Sequence, residues 1–181
     1  ASLDFAGSAE LGKPALVVSA LISRSPTMLY FGQDVGEDGS EETGFGDPTR
    51  TSIFDYVGVP AHQRWMNEGK FDGGQLTNAE SNLREYYIRV MNVSANLSSM
   101  TGNYASLHQH NLADGSYDER LFSFVRWNEQ EVVIVVANFD TGSTYNFELT
   151  IPESVSIALQ LTNGEYSMTD LLSEQQNTLV V

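Results

Sequence analysis

The chain has 181 residues, and its content of 41% hydrophobic and 10% aromatic residues is enough to bury a core in one domain or two small ones. Nine Lys and Arg residues against 24 Asp and Glu residues give a formal net charge of -15, which disfavours binding to a nucleic-acid backbone. The chain has no cysteine, which excludes disulfides, thiolate metal sites and cysteine nucleophiles, and no apolar run approaches the roughly 20 residues that cross a bilayer.

The N-terminal half contains two helical patterns and one strand-like run. The segment from Glu10 to Ile22 places apolar residues at helical spacing and therefore predicts a helix. Thr27 to Phe31 is a short apolar run that ends at Gly32, which is typical of a strand buried on both faces of a parallel sheet. A second helix is predicted from Glu80 to Leu97. Its predicted inward positions are Leu83, Tyr86, Tyr87, Val90, Met91 and Leu97.

The region from Gly36 to Gly74 is irregular in pattern and rich in Gly, Asp and Glu. A loop of this length in a compact protein usually carries function. Its acidic stretch DVGEDGSEETGF does not fit a calcium-binding EF-hand, because alignment on Gly39 puts Gly36 at a ligand position and Phe45 where a bidentate Glu is required. We interpret the stretch as a solvated acidic loop and predict no metal site there.

From about Ser99 onward the pattern changes to short β-branched or aromatic runs separated by turn residues. The runs are RLFSFVRW, EVVIVVANF, TYNFELTIP, SIALQLTN and YSMTDLL. Their regular spacing predicts an antiparallel sandwich or sheet. We place a domain boundary between Met100 and Tyr117, which divides the chain into residues 1–103 and 104–181. The fold class predicted for the whole chain is α+β.

The histidines form no obvious catalytic or metal-binding group in the sequence. His108 and His110 would share a face of an extended chain, but no third ligand stands near them. His62, in VPAHQRW, is interpreted as a packing or hydrogen-bonding residue. The sequence also has neither a phosphate-cradling glycine motif nor a nucleophile-elbow serine. We therefore expect no cofactor and no self-contained active site.

The stretch SPTMLYFGQDVGE resembles the segment on the eighth barrel strand of glycoside hydrolase family 13, the α-amylase family. Pro26, Tyr30, Gly32 and Gln33 fit that family's pattern, and Asp34 stands where the family more often has Glu. The order of segments strengthens the resemblance: an acidic loop, FDYVGVPAHQRWMN, a helix with LREYYIRVMN, the linker GNYASL and a terminal β region come next along the chain. The resemblance covers essentially the whole chain.

The resemblance implies that residues 1–103 are the end of a (β/α)8 barrel, with its last strand, flanking helices and long substrate-side loop, and that an antiparallel β domain follows. Strands of such a barrel are buried, and active-site groups lie in loops at their C-terminal ends. Gly32 would mark the end of the strand, because glycine tolerates a sharp turn and a close backbone approach. The loop from Gln33 to Gly74 would then form one wall of a sugar-binding cleft.

Within that loop, GDPTR resembles an Asp-Pro-x-x-Arg segment that binds a glucose unit in some α-amylases, which makes Asp47 and Arg50 candidate substrate-binding residues. Their charges suit vicinal sugar hydroxyls. The two residues stand one position closer together than in that segment, and a surface ion pair is the alternative. Tyr56 is the third candidate; like Phe54 and Trp65, it has a ring that would either stack on a sugar or anchor the loop in the core.

The family's retaining mechanism needs two carboxyl groups about 5 Å apart, and in the family these lie upstream of the matched segment. The opening ASLDFAGS resembles the segment just downstream of the family's Asn-His-Asp motif, so we expect the N-terminus to be a cut within a longer protein. No catalytic residue is assigned, and we do not expect the chain alone to hydrolyse α-glucans such as starch or maltooligosaccharides.

Two alternatives to the enzyme fragment stay open, a carbohydrate-binding β module and the tail of a catalytically inactive relative. Hydrolysis, transglycosylation and isomerisation are not distinguished by these residues. Because a barrel segment without its neighbours would expose strand edges and apolar helix faces, the isolated chain is expected either to self-associate through its N-terminal half or to leave that half poorly ordered.

Overall fold

The computed structural model describes residues 7–38, 58–113 and 115–181. Within these residues helices and antiparallel sheets combine into a mixed fold, in agreement with the predicted α+β class. The chain divides into two compact units, the first comprising Ala1–Leu16 with Pro26–Ile88 and the second Val17–Ser25 with Arg89–Val181. The proposed domains 1–103 and 104–181 remain a prediction. None of the described helices combines the length and apolar character needed to traverse a bilayer.

The helices are α1 (Lys13–Leu21), α2 (Pro60–Met66), α3 (Asn78–Asn96), α4 (His108–Leu112) and α5 (Glu153–Ala158). Short 3-10 turns lie at Glu10–Gly12, Gln33–Val35, Asn67–Gly69 and Ser98–Thr101. The strands are β1 (Asn103–Ser106), β2 (Leu121–Trp127), β3 (Val132–Asn138), β4 (Glu165–Thr169) and β5 (Gln176–Val180). Both helices predicted in the N-terminal half are confirmed, the first as α1 with its preceding turn and the second as α3.

Helix α3 forms because a capping motif at its start precedes an apolar stripe at helical spacing. The backbone N–H of Thr77 donates to Glu80 Oε2 at 2.8 Å, and the N–H of Glu80 donates to Thr77 Oγ1 at 3.3 Å, which is a reciprocal capping box. Leu83, Tyr87 and Val90 follow at spacings of four and three and are buried. The other predicted inward residues are half-buried, namely Tyr86, Met91 and Leu97.

The described strands form two antiparallel sheets, one with the order β1-β2-β3 and one made of β4 and β5. The predicted strands RLFSFVRW, EVVIVVANF and YSMTDLL are confirmed as β2, β3 and β4. The linker GNYASL contains β1, which pairs with β2 so that Tyr104 lies opposite Arg126. On β2, Val125 packs with Leu107 and with Val155 of α5 in a buried apolar cluster.

Two other predicted strands are wrong. SIALQLTN contains no strand: its first three residues complete α5, and the rest is turn or irregular. The helix begins after Pro152, whose carbonyl accepts the N–H groups of Val155 and Ser156. TYNFELTIP belongs to neither sheet. Its Thr150 is instead bound on both backbone groups by the buried side chain of Asn111, with distances of 2.9 Å to the carbonyl oxygen and 2.7 Å to the nitrogen. The amide of Asn111 thus supplies the hydrogen bonds that a neighbouring strand would make.

The predicted strand Thr27–Phe31 is also wrong, since this segment pairs with no strand among the described residues. Met28 is 85% exposed and Tyr30 is 43% exposed, so the apolar run is not enclosed on both faces. A buried parallel strand needs hydrogen-bonding neighbours at its sides, and its apolar pattern alone does not supply them. The expected barrel remnant is therefore not confirmed. Self-association through these side chains remains a prediction.

The second unit contains a buried cation, Arg126, which is 1% exposed. Its Nε donates to the carbonyl oxygen of Asn103 at 3.1 Å, and its Nη1 donates to that of Leu21, at the end of α1, at 3.3 Å. Its Nη2 donates to the carbonyl oxygens of Met100 and Gly102. Burial lowers the pKa of Arg126, and these carbonyls compensate the desolvated guanidinium.

Replacement of Arg126 by Met should lower the free energy of unfolding by roughly 3 kcal/mol or more, because several buried carbonyl groups lose their donor at once. Urea denaturation followed by circular dichroism measures the change. The matched control is Arg24→Met, which removes an exposed guanidinium that donates to the Gly102 carbonyl at 2.7 and 3.1 Å. The control should lose well under half as much stability; equal losses would contradict the role assigned to Arg126.

Candidate functional site

The chain turns sharply at Gly32, directly after the apolar run. Gly32 has a φ of 74°, a conformation that glycine adopts far more readily than other residues. A Cβ atom at this position would lie 2.7 Å from the Cβ of Glu37, and the backbone N–H of Glu37 donates to the Gly32 carbonyl at 2.9 Å. The sharp turn expected at this glycine is present, but the close neighbour is the Glu37 side chain, and the strand that Gly32 was expected to end is absent from the described part of the chain.

Asp34 follows this turn and binds a cation on α3. Its carboxylate accepts a hydrogen bond from the guanidinium of Arg84, and both side chains are about one quarter exposed, at 26% and 30%. The guanidinium carbon of Arg84 also lies 4.8 Å from the centre of the Trp65 ring, in cation–π geometry. Asp34 therefore holds Arg84 against an aromatic face.

Glu37 connects the chain on the two sides of residues 39–57. Its Oε2 accepts the backbone N–H of His62 at 2.9 Å, in the first turn of α2. N–H groups in the first turn of a helix have no partner within the helix and attract negative charge. The bond fixes the chain just before residue 39 to the chain just after residue 57.

Arg64 and Glu80 link α2 to the start of α3. The Arg64 Nε donates to Glu80 Oε2 at 3.0 Å, and a second bond joins Nη2 to Oε1. Glu80 is only 14% exposed. The hydrogen bond from Arg64, supported by those from Thr77, lowers the pKa of Glu80 to about 2, which keeps this carboxylate charged throughout the physiological range.

A row of four rings runs through the same unit. The ring centres of Phe31 and His62 are 4.3 Å apart, those of His62 and Trp65 5.4 Å, and those of Trp65 and Phe71 5.9 Å. Trp65 is half-buried and contacts Arg84 as well, which fits the second of its two alternatives, an anchor of the loop. His62 packs between two rings, as the sequence indicated.

Phe71 ends this row on a tightly turned loop. It is 56% exposed and has a φ of 56°, which a bulky residue rarely adopts without support from its surroundings. The support includes Asp72, whose Oδ1 accepts hydrogen bonds from the side chain of Asn67 at 2.7 Å and from the N–H of Gly74 at 2.9 Å.

The predicted substrate-binding residues Asp47, Arg50 and Tyr56, together with Phe54, lie outside the described residues. His108 and His110 lie on α4, not on an extended segment, and residues two apart on a helix do not share a face. In residues 7–38, 58–113 and 115–181, no three His, Asp or Glu side chains are grouped so that they could hold a metal ion.

The ion pairs that organise this unit leave little signal in the sequence. The pattern Thr77-x-x-Glu80 is a capping signature that local reading could have found. No comparable signal marks Asp34 with Arg84, whose positions are 50 residues apart. Only the fold determines which of several carboxylates meets each arginine.

Comparison of the chain with family models, with curated proteins and with solved structures finds no match. The resemblance to the α-amylase family therefore rests on sequence motifs alone.

The lowered pKa of Glu80 predicts a specific loss of stability in acid. Since the pKa is about 2 in the folded chain against 4.5 for the free side chain, the contribution of Glu80 is complete above pH 4.5 and is lost as the pH falls towards 2. Glu80→Gln should cost roughly 2 kcal/mol at pH 7, and the difference from the wild type should shrink on acidification.

Chemical denaturation at a series of pH values measures this difference. The matched control is Glu85→Gln, at an exposed position of the same helix, which should leave the stability almost unchanged at each pH. A Glu80→Gln deficit that stays constant between pH 7 and pH 2.5 would contradict the assignment.

Substitution of Gly32 tests the turn at the end of the apolar run. Gly32→Ala should cost roughly 2 to 4 kcal/mol, because the new Cβ meets both an unfavourable φ and a close neighbour. Gly69→Ala, with a φ of 89° but open space around it, should cost about 1 kcal/mol. Gly58→Ala, with neither feature, should be close to neutral. Thermal unfolding measures the loss of stability in each of the three variants. Equal losses for Gly32→Ala and Gly69→Ala would rule out a steric contribution at Gly32.

Proposed function

We propose that this chain is the C-terminal part of an α-amylase-family enzyme that acts on α-glucans, and that its residues 33–74 form one wall of the substrate cleft. The full enzyme would use the retaining mechanism of two carboxyl groups, which the family carries upstream of the matched segment. The part played by this chain is therefore to bind and orient substrate, whether the enzyme hydrolyses, transfers or isomerises it.

The observation that carries the proposal is the motif Tyr30-x-Gly32-Gln33-Asp34 together with the turn it forms. The apolar run changes at Gly32 into a polar segment whose first acidic residues are held by α2 and α3. Loops that bind substrates are effective when a rigid frame supports them. The bonds of Asp34 to Arg84 and of Glu37 to the His62 backbone supply such a frame on both sides of residues 39–57.

The charge of the chain favours a neutral ligand of this kind. A net charge of -15 repels phosphorylated or otherwise anionic substrates, whereas a glucan carries no charge. In the proposed cleft wall, Asp47 accepts hydrogen bonds from sugar hydroxyls, Arg50 donates to them, and Tyr56 packs its ring against a sugar face. Charged groups make the stronger hydrogen bonds to such hydroxyls.

Calorimetric titration of the chain with maltoheptaose tests the proposal. We expect saturable binding without release of reducing sugar. Asp47→Ala and Arg50→Ala should each weaken binding by roughly 1 to 3 kcal/mol, or about 5- to 150-fold in Kd. Glu165→Ala, which removes a carboxylate from β4, should leave the Kd unchanged.

Two results would overturn parts of the proposal. Unchanged binding in both loop variants would remove Asp47 and Arg50 from the substrate site and support the surface ion pair instead. Turnover of maltoheptaose by the chain alone, abolished by replacing an acidic residue between Asp34 and Asp47, would show that the chain is not an inactive part of the enzyme.

A further inference from the structure

Strand β3 is an edge of the three-stranded sheet, and half of its backbone groups point away from β2. The N–H of Phe139 donates to the Arg120 carbonyl at 2.9 Å. Because hydrogen-bonded pairs alternate along an antiparallel ladder, the odd-numbered residues of β3 bond to β2. The N–H and C=O groups of Val132, Ile134 and Val136 therefore point outward, and together they form what we call the open edge of β3.

No segment among the described residues pairs with the open edge. The strand order is β1-β2-β3, and no hydrogen bond within residues 7–38, 58–113 and 115–181 reaches these outward groups. The run TYNFELTIP, which follows β3, lies over the face of the sheet instead. Its Phe147 ring is centred 5.2 Å from that of Tyr117, and the Tyr117 hydroxyl donates to Ser123 of the central strand at 3.0 Å.

The side chains beside the open edge are apolar and partly uncovered. Val132 is 43% exposed and Val136 is 45% exposed, and the strand VVIVVAN has neither a charge nor a proline. Its pairing with β2 runs without a bulge from Asn138 to Val132. Proteins usually protect an edge strand with a charge, a proline or a bulge, because an unprotected edge is a template for a further strand.

The carboxylates that flank β3 are held away from the open edge. Glu131 Oε1 accepts the backbone N–H of Ser99 at 2.7 Å, in the Ser98–Thr101 turn. The Asp140 carboxylate is bound to Arg120 at 2.7 Å. The open edge is therefore uncharged in a chain whose net charge is -15, which limits the repulsion between two copies that meet there.

We propose that the open edge of β3 pairs antiparallel with the same edge of a second copy of this chain, which joins the two three-stranded sheets into one. Antiparallel pairing of two identical strands has a two-fold axis. An axis at Ile134 places Val132 of each copy opposite Val136 of the other, so the two exposed valines cover each other. In this register Glu131 lies opposite Ala137 of the other copy, and no carboxylate faces a carboxylate.

A second copy is the occupant that fits because the strand is complementary to itself in this register. One strand pair buries little surface, so the association is reversible and weak. Both copies are strongly acidic, and added salt therefore strengthens the association by screening their repulsion. The pairing uses residues of the second unit alone and does not depend on the proposed function.

Sedimentation velocity over a concentration series measures this association. We expect a monomer–dimer equilibrium whose Kd falls when NaCl is raised from roughly 50 to 500 mM. Val132→Glu combined with Val136→Glu places like charges opposite each other across the axis and should raise the Kd at least about tenfold. Val132→Lys combined with Val136→Glu places opposite charges there and should keep the Kd near that of the wild type. Val180→Glu with Val181→Glu adds two charges at exposed valines elsewhere and is the matched control.

Hydrogen exchange of the wild-type chain tests the same edge without a substitution. The outward amides of Val132, Ile134 and Val136 should exchange quickly in a dilute sample and slowly in a concentrated one. The amides of Val133 and Val135, which bond to β2, should be protected in both samples.

Three results would overturn the proposal. The first is a chain that stays monomeric at about 0.5 mM in high salt. The second is a dimer that keeps its Kd in both double variants but dissociates in Met28→Glu, which would assign the association to the N-terminal half. The third is protection of the outward amides that does not change with concentration, which would show that the chain itself covers this edge.

Discussion

The second unit depends on one desolvated guanidinium. The guanidinium of Arg126 donates hydrogen bonds to carbonyl oxygens at the end of α1, in the Ser98–Thr101 turn and in β1. The carbonyls at the end of a helix have no partner within it, so the bond to Leu21 satisfies a group that helix formation leaves open. The turn leading into β1 also needs close backbone contact, because a Cβ on Gly102 would lie 2.1 Å from the Trp127 carbonyl oxygen. The antiparallel pairing joins β1 to β2, and the Arg126 guanidinium and the absence of a side chain at Gly102 allow the preceding turn to lie close to this pair.

The first unit is organised by ion pairs between side chains, not by a single buried cation. Two of these pairs are partly exposed, and they join segments that no sheet connects. The pairs are Asp34 with Arg84 and Arg64 with Glu80. Each arginine makes several contacts, so each pair is part of a network that also includes a capping box and an aromatic face. Networks of this kind contribute more than isolated surface pairs, because their geometry is fixed by neighbouring groups. The result is a rigid frame on both sides of residues 39–57.

The proposed function assigns residues 33–74 to a neutral ligand. A glucan carries no charge, so it can contact a strongly acidic chain without repulsion. In this proposal the cleft wall orients the glucan for the chemistry that the full enzyme performs.

The sequence by itself determined the elements that are encoded locally. Helices α1 and α3 and strands β2 and β3 were predictable because each carries a complete apolar pattern. The turn at Gly32 was predictable because glycine adopts a positive φ far more readily than other residues. The runs Thr27–Phe31 and TYNFELTIP were misread because an apolar or alternating pattern does not report a hydrogen-bonding partner. In Thr27–Phe31 the pattern did not report burial either, since Met28 and Tyr30 are exposed. Tertiary structure decided that Asn111 binds Thr150 and that Arg84 meets Asp34. These contacts join residues far apart in sequence, so they depend on the path of the chain in space.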